Sequence, residues 1–179
     1  MSSRHILVTG AAGFIGSWVV ERLLARGDRV TGLDSFDLFY DPAIKRRNLA
    51  GALGSDRFSL VEGDLRDQAL WPRLLGGEPV HVVLHLAARA GVRPSIAQAA
   101  LYADVNVRGT TVVFEAARQH GVPKVVYASS SSVYGGNEKV PFSEEDPVDH
   151  PVSPYAATKK ATEVIAHTYH HLYGMDAVG

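Results

Sequence analysis

The sequence predicts an α/β fold built on a doubly wound parallel sheet, and three observations predict it. Apolar runs too short for helices alternate with longer amphipathic stretches, the pattern of βαβ units around a parallel sheet. Three spaced glycines, Gly10, Gly13 and Gly16, fall between the first apolar run and the first amphipathic stretch. The chain has 179 residues, 46% of them hydrophobic. That is enough for one compact domain with a core and too little for two, so a single domain over 1–179 is expected.

In chain order, strands are read at His5–Thr9, Arg29–Leu33, Phe58–Val61, His81–Leu86 and Lys124–Ala128. Each is a short apolar run, and the first is ended by Gly10. Between them the longer stretches give helices at Gly13–Arg26, Asp67–Leu75 and Ser95–His120, the last interrupted or kinked near Asp104. A short helix is read at Pro42–Leu49. Crossovers of this kind are right-handed. The stretch Gly135–Ser153, rich in Pro, Gly and acidic residues, reads as a long loop, a class that is often functional in compact domains. A last helix follows. Ser153 before Pro154 is ordinary capping grammar, and Ala156, Ala157, Ala161 and Glu163 favour the helix that runs to Tyr173.

Composition excludes several classes. With 18 basic and 19 acidic residues, the net charge of -1 provides no field to attract nucleic acid or an acidic membrane. Lys45, Arg46 and Arg47 read as a solvated helix face. The absence of Cys removes disulfides, thiolate catalysis and Cys-based zinc sites together. The start MSSRHILVTG lacks the parts of a signal peptide, and no apolar run approaches the roughly 20 residues that span a bilayer. A cytoplasmic protein is expected. His167, His170 and His171 have helical spacing but no obvious acidic or Cys partner, so no metal site is expected. Without a G-x-S-x-G elbow, a hydrolase using Ser130 is disfavoured. Trp18 and Trp71 are expected in the core or at its margin.

The glycine turn is the first functional signal. In the spacing G-x-x-G-x-x-G, Gly10 allows the tight turn, Gly13 lets backbone N–H groups approach a pyrophosphate, and Gly16 lets the helix pack closely. The helix start adds unpaired donors and about half a unit of positive charge. Together with the alternating pattern, this defines a Rossmann-type arrangement. Asp34 follows the second strand, where a carboxylate accepts from the adenosine ribose and repels a 2′-phosphate, favouring NAD over NADP. Asp64, after the third strand, is placed either to approach the adenine edge or to serve its own turn.

Tyr155 and Lys159 stand four positions apart and share a helix face. Taken alone they are most simply a surface pair. An ammonium held about 4 Å from a phenol, however, favours the phenolate by roughly 4 kcal/mol at an effective dielectric near 20. At about 1.36 kcal/mol per pKa unit, that lowers a phenol by up to about three units before desolvation opposes it, enough to matter for base catalysis at neutral pH.

The glycine turn, HLAA at His85–Ala88, YASSSSVYG at Tyr127–Gly135 and the Tyr155, Lys159 pair resemble, in order and spacing, the extended short-chain dehydrogenase/reductase family. Within it the chain is most similar to the NAD-dependent sugar-nucleotide epimerases and dehydratases, and there to the UDP-glucuronate 4-epimerases. FDLFYDPAIKRRNL, HLAARAGVRPSI, YADVNVRGT and VPFSEEDPVDHPVSPYAATKKATEVIAHTYHHLYG carry that resemblance.

The resemblance implies NAD as cofactor and a UDP-sugar as substrate. It implies that Gly10, Gly13, Phe14, Ile15 and Gly16 hold the pyrophosphate, Asp34 the ribose, and Asp64 with Leu65 the adenine. Leu86, Ala87 and Ala88 lie beside the cofactor, with Arg89 following. Tyr155 and Lys159 are the catalytic pair, and Ser130 completes the triad. Where related dehydratases and decarboxylases carry an acid before VYG, this chain has Ser131 and Ser132, which favours simple epimerisation. Those two hydroxyls, or alternatively Arg89 and Arg93, are candidates to hold a substrate carboxylate. UDP-glucose epimerisation and a non-catalytic NAD-binding module are the alternatives. The resemblance further implies a homodimer through the helices at 95–120 and 155–173, and a sixth strand beginning at MDAVG, with the substrate-binding subdomain that would follow it expected to be missing from these 179 residues.

Overall fold

A computed structural model describes residues 3–179; Met1 and Ser2, the first residues of the start compared above with a signal peptide, lie outside them. The strands are β1 (His5–Thr9), β2 (Arg29–Asp34), β3 (Phe58–Glu62), β4 (Val82–His85), β5 (Lys124–Tyr127) and β6 (Asp176–Val178). They form one parallel sheet in the order β3-β2-β1-β4-β5-β6. The five strands read from apolar runs are all present within a residue or two. The sixth forms in MDAVG, with Ala177 opposite Val125.

Successive residues of β1 face opposite sides, and both sides are covered. Ile6 and Val8 pack with Val20 and Val30 on one side, while Leu7 packs with Val83, Val113, Phe114 and Val125 on the other. Double coverage is why these strands read as continuous apolar runs. The helices are α1 (Phe14–Arg26), α2 (Pro42–Asn48), α3 (Trp71–Leu75), α4 (Val92–Ala97), α5 (Ala99–Tyr102), α6 (Gly109–Gln119) and α7 (Pro154–Tyr173), of which α1 covers one side and α3, α6 and α7 the other. The caps are legible locally: Asp41 accepts from the Ala43 N–H at 2.8 Å before α2, and Ser153 from the Ala156 N–H at 3.1 Å in α7.

The single helix expected over 95–120 begins earlier, at Val92, and is segmented. Between α5 and α6 the chain takes a π-helical course over Ala103–Arg108, which includes Asp104. Turns of this kind concentrate at functional sites. No regular element falls between Tyr134 and Pro154. There Asp146 organises the loop, accepting from the Ser143 N–H at 2.8 Å and from Asn137 at 3.1 Å.

Trp71 is buried as expected, its indole N–H donating to Leu65 O at 3.1 Å. Trp18 corrects the expectation: it is 62% exposed, on the face of α1 opposite the one that buries Val20 and Leu23. Among the described residues no helix is long and apolar enough to cross a membrane, and no group of three or more His, Asp or Glu is placed to hold a metal.

Candidate functional site

The sheet order reverses direction between β1 and β4, and open α/β sheets bind ligands at the carboxyl edge beside such a point. A cavity of about 330 Å³ lies there. Its walls come from the turn after β1 and the ends of β2, β3 and β4, including Gly13, Asp34, Asp64, Leu65, Ala87 and Arg89. Gly10, Phe14, Ile15, Leu86 and Ala88 also line it, whereas Gly16, Ser130, Ser131, Ser132, Tyr155 and Lys159 are not among its lining residues.

The turn after β1 is tied to β2 by a backbone bond, Gly10 N–H to Leu33 O at 2.8 Å, and by the Ala12 N–H donating to the Asp34 carboxylate at 3.0 Å. Gly10 has φ 71°, and a Cβ there would lie 2.8 Å from the Ala87 nitrogen. At Gly16 the constraint is space alone: a Cβ would lie 2.0 Å from the Gly10 carbonyl oxygen. Helix α1 therefore starts directly against the turn. Gly13 caps it without a side chain, which leaves the first N–H groups to an external acceptor.

Asp34 is buried at 6% exposure. One oxygen accepts from Ala12 N–H and the other from Phe36 N–H at 2.8 Å. Lys45 corrects the expectation of a solvated cluster. Arg46 and Arg47 are exposed, but Lys45 is 7% exposed, with its ammonium 3.6 Å from Asp34 and 5.0 Å from the centre of the Tyr40 ring. Helix periodicity could not reveal this, because Lys45 meets Asp34, at the end of β2, only in the folded chain. Asp64 does serve its own turn, accepting from the Arg66 N–H at 2.8 Å while it lines the cavity. The Arg66 guanidinium holds its carboxyl below the ordinary range.

Arg89 donates through Nη1 to both oxygens of Asp37, at 2.9 and 3.0 Å, and through Nη2 to Gln98 at 3.2 Å. Among the described residues its Nε is buried without a partner, as is the Tyr40 hydroxyl. Arg93 is exposed on α4.

Tyr155 opens α7. Its N–H donates to the buried Ser95 hydroxyl at 3.1 Å, and its ring meets Tyr102 edge-on at 6.4 Å. Lys159, one turn on, is 5% exposed. Burial pushes its pKa down to about 8, against the opposing pull of the Glu163 carboxylate. Glu163 is anchored in turn by the Ser129 hydroxyl at 2.6 Å. Ser130 caps a single 3₁₀ turn, Ser131–Tyr134, accepting from the Ser132 N–H at 3.1 Å and lying 2.6 Å from the Ser132 hydroxyl. Helix α7 packs against this turn, which brings the serine run to the Tyr155 helix.

Two buried residues escaped the sequence reading. Asn106, in the π-helical turn, accepts from Arg89 N–H at 2.8 Å, donates to Arg89 O at 3.0 Å and donates to Thr158 at 3.1 Å. It therefore joins the cavity wall after β4 to the Tyr155 helix. A polar amide between two valines in an amphipathic helix was the available signal. His85 lies between Thr9 at 2.8 Å and Thr110 at 2.9 Å, and burial with the nearby Lys159 charge pushes its pKa down to about 3. It is a neutral spacer under the site.

Fold and cavity together define a Rossmann-type α/β domain with a ligand cleft at its switch point. Residues 7–179 match the family model described as GDP-mannose 4,6 dehydratase, and the chain belongs to that family. UDP-glucuronate 4-epimerase 3 of Arabidopsis thaliana is 50% identical over 175 residues, 97% of this chain and 40% of that protein. Among solved structures, UDP-glucuronic acid 4-epimerase from Bacillus cereus, in complex with UDP-glucuronic acid and NAD, superposes with a TM-score of 0.88 at 36% identity, covering 97% of this chain and 55% of that one. A double mutant of the dTDP-glucose 4,6-dehydratase DesIV from Streptomyces venezuelae, with NAD bound, gives 0.87 at 39% identity, over 96% of this chain and 53% of that one. The chain thus spans between 40% and about half the length of these relatives.

Proposed function

We propose that the protein is an NAD-dependent sugar-nucleotide 4-epimerase converting UDP-glucuronate to UDP-galacturonate, and that residues 1–179 are its NAD-binding domain. The observation that carries this reading is the convergence of the glycine turn, Asp34 and the β4 end on one cavity, which Asn106 links to the helix of Tyr155 and Lys159. The residues present fit the cofactor: uncapped amides at the start of α1, no room for a Cβ at Gly10 or Gly16, and a buried carboxylate at the end of β2. In this reading Gly10, Gly13, Phe14, Ile15 and Gly16 hold the pyrophosphate, Asp34 the ribose, and Asp64 with Leu65 the adenine. Leu86, Ala87 and Ala88 form the wall on the nicotinamide side.

When bound, NAD would supply a reversible two-electron acceptor for the oxidation and re-reduction of C4. Tyr155 takes the proton of the C4 hydroxyl and later gives it back. Lys159, with a pKa of about 8, is mostly charged at neutral pH and supplies the cation beside the phenol. Ser130 orients the same substrate hydroxyl. Ser131, Ser132 and Arg89 face the sugar, and with no acid at the two serine positions the chemistry stops at epimerisation. Exposed Val164, Leu172 and Tyr173 on α7 suit a homodimer through α6 and α7.

The 40% coverage of the plant relative favours a second reading, in which this chain alone binds NAD without turnover. Incubation with NAD and either UDP-glucuronate or UDP-glucose, followed by NMR of the products, separates the possibilities. UDP-galacturonate supports the first reading, and UDP-galactose alone would reassign the substrate. NAD binding without either product supports the second.

A further inference from the structure

We infer that Lys45 is a second determinant of dinucleotide choice in this cavity, acting against Asp34, so that discrimination against NADP is shallower than the carboxylate alone would impose. The inference rests on the reading of the cavity as a dinucleotide site. Both groups line that cavity, and their side chains are 9% and 6% exposed. Asp34 is already met by two backbone N–H groups. Lys45 is not comparably satisfied. Its ammonium lies 3.6 Å from the nearer carboxylate oxygen, beyond a normal hydrogen bond, and makes none among the described residues. The ammonium is not sealed off: it opens on the cavity, where its free donors can be reached by a ligand oxygen.

The surroundings of Lys45 point the same way. The Tyr40 ring, 5.0 Å away, offers the cation attraction without an acceptor, and its hydroxyl is itself buried without a partner among the described residues. One corner of the cavity therefore holds an anion met by two backbone N–H groups beside a cation with free donors and a buried hydroxyl with no partner among the described residues. Seen from the position of a ribose 2′-oxygen, the two opposite charges largely cancel, and the repulsion expected from an isolated carboxylate is lost. The free donors of Lys45 then suit oxygen acceptors, a 2′-hydroxyl on NAD or a 2′-phosphate on NADP. A purely structural ion pair predicts something different. Asp34 would keep its backbone bonds without Lys45, and the relative affinity for the two dinucleotides would not change.

Calorimetric titration of NAD and of NADP into the unaltered protein, Lys45→Met and Asp34→Asn tests this. Lys45→Met should weaken NADP about tenfold or more while changing NAD less than about threefold, and Asp34→Asn should strengthen NADP. Should Lys45→Met fail to fold, Lys45→Gln keeps a neutral donor and should show the same direction. Equal changes for both dinucleotides, or no detectable NADP binding by the unaltered protein, would overturn the inference while leaving the NAD reading intact. Failure of the unaltered protein to bind either dinucleotide would overturn both.

Discussion

Replacing Lys159 by Met should stabilise the fold at neutral pH while removing the cation that the proposed chemistry uses. Lys159 is 5% exposed, and burial lowers its pKa from 10.5 to about 8. At about 1.36 kcal/mol per unit, holding the ammonium in the folded protein costs on the order of 3 kcal/mol. Met has a similar unbranched shape and no charge, so most of that cost should be recovered. Loss of the attraction to Glu163 is already counted, since the net shift includes it.

The sign of the pH dependence is fixed. Below about pH 8 both folded and unfolded Lys159 are charged and the penalty is complete. Between about 8 and 10.5 the folded group is neutral while the unfolded one still binds a proton, so the unaltered protein gains stability as pH rises. Urea unfolding near pH 7 should find Lys159→Met more stable by about 2 to 3 kcal/mol, a gap that narrows toward zero near pH 10.5. A variant less stable at pH 7, or a gap that does not change with pH, would refute the reasoning.

Other perturbations follow from the same geometry. Gly16→Ala places a methyl 2.0 Å from the Gly10 carbonyl, so α1 must move off the turn. It should cost about 3 kcal/mol in thermal unfolding and remove detectable NAD binding by calorimetry. Asn106→Leu leaves the Arg89 N–H and C=O without their side-chain partners; a loss of about 2 to 4 kcal/mol in urea unfolding is expected. His85, with its pKa pushed down to about 3 from 6.5, binds its proton far more readily when unfolded. Its contribution should therefore be flat above pH 6.5 and fall by about 2 kcal/mol between pH 6.5 and 5, an acid sensitivity that His85→Gln should reduce in the same assay.

The strands and the glycine turn were legible because their signals are local: a five-residue apolar run, a Gly with positive φ, a Ser-Pro helix start. The segmentation of the 95–120 helix was legible only near Asp104, since the earlier break at Gln98 carries no Gly or Pro. Lys45 and Asn106 were not legible. Lys45 looks solvated in sequence, Asn106 stands out there only as an amide between two valines, and the partner each meets when buried, Asp34 or Arg89, is on a different element. The serine run is ambiguous for a physical reason: the Ser130 hydroxyl can cap a turn and face a ligand with the same oxygen.

The most direct test of the account is rapid mixing of UDP-glucuronate with the NAD-loaded protein and with Tyr155→Phe, followed by the absorbance of reduced nicotinamide and by the products formed. The account predicts a transient reduced signal and UDP-galacturonate with the unaltered protein, and neither with Tyr155→Phe, which should still bind NAD. UDP-galacturonate formed equally by Tyr155→Phe would contradict it.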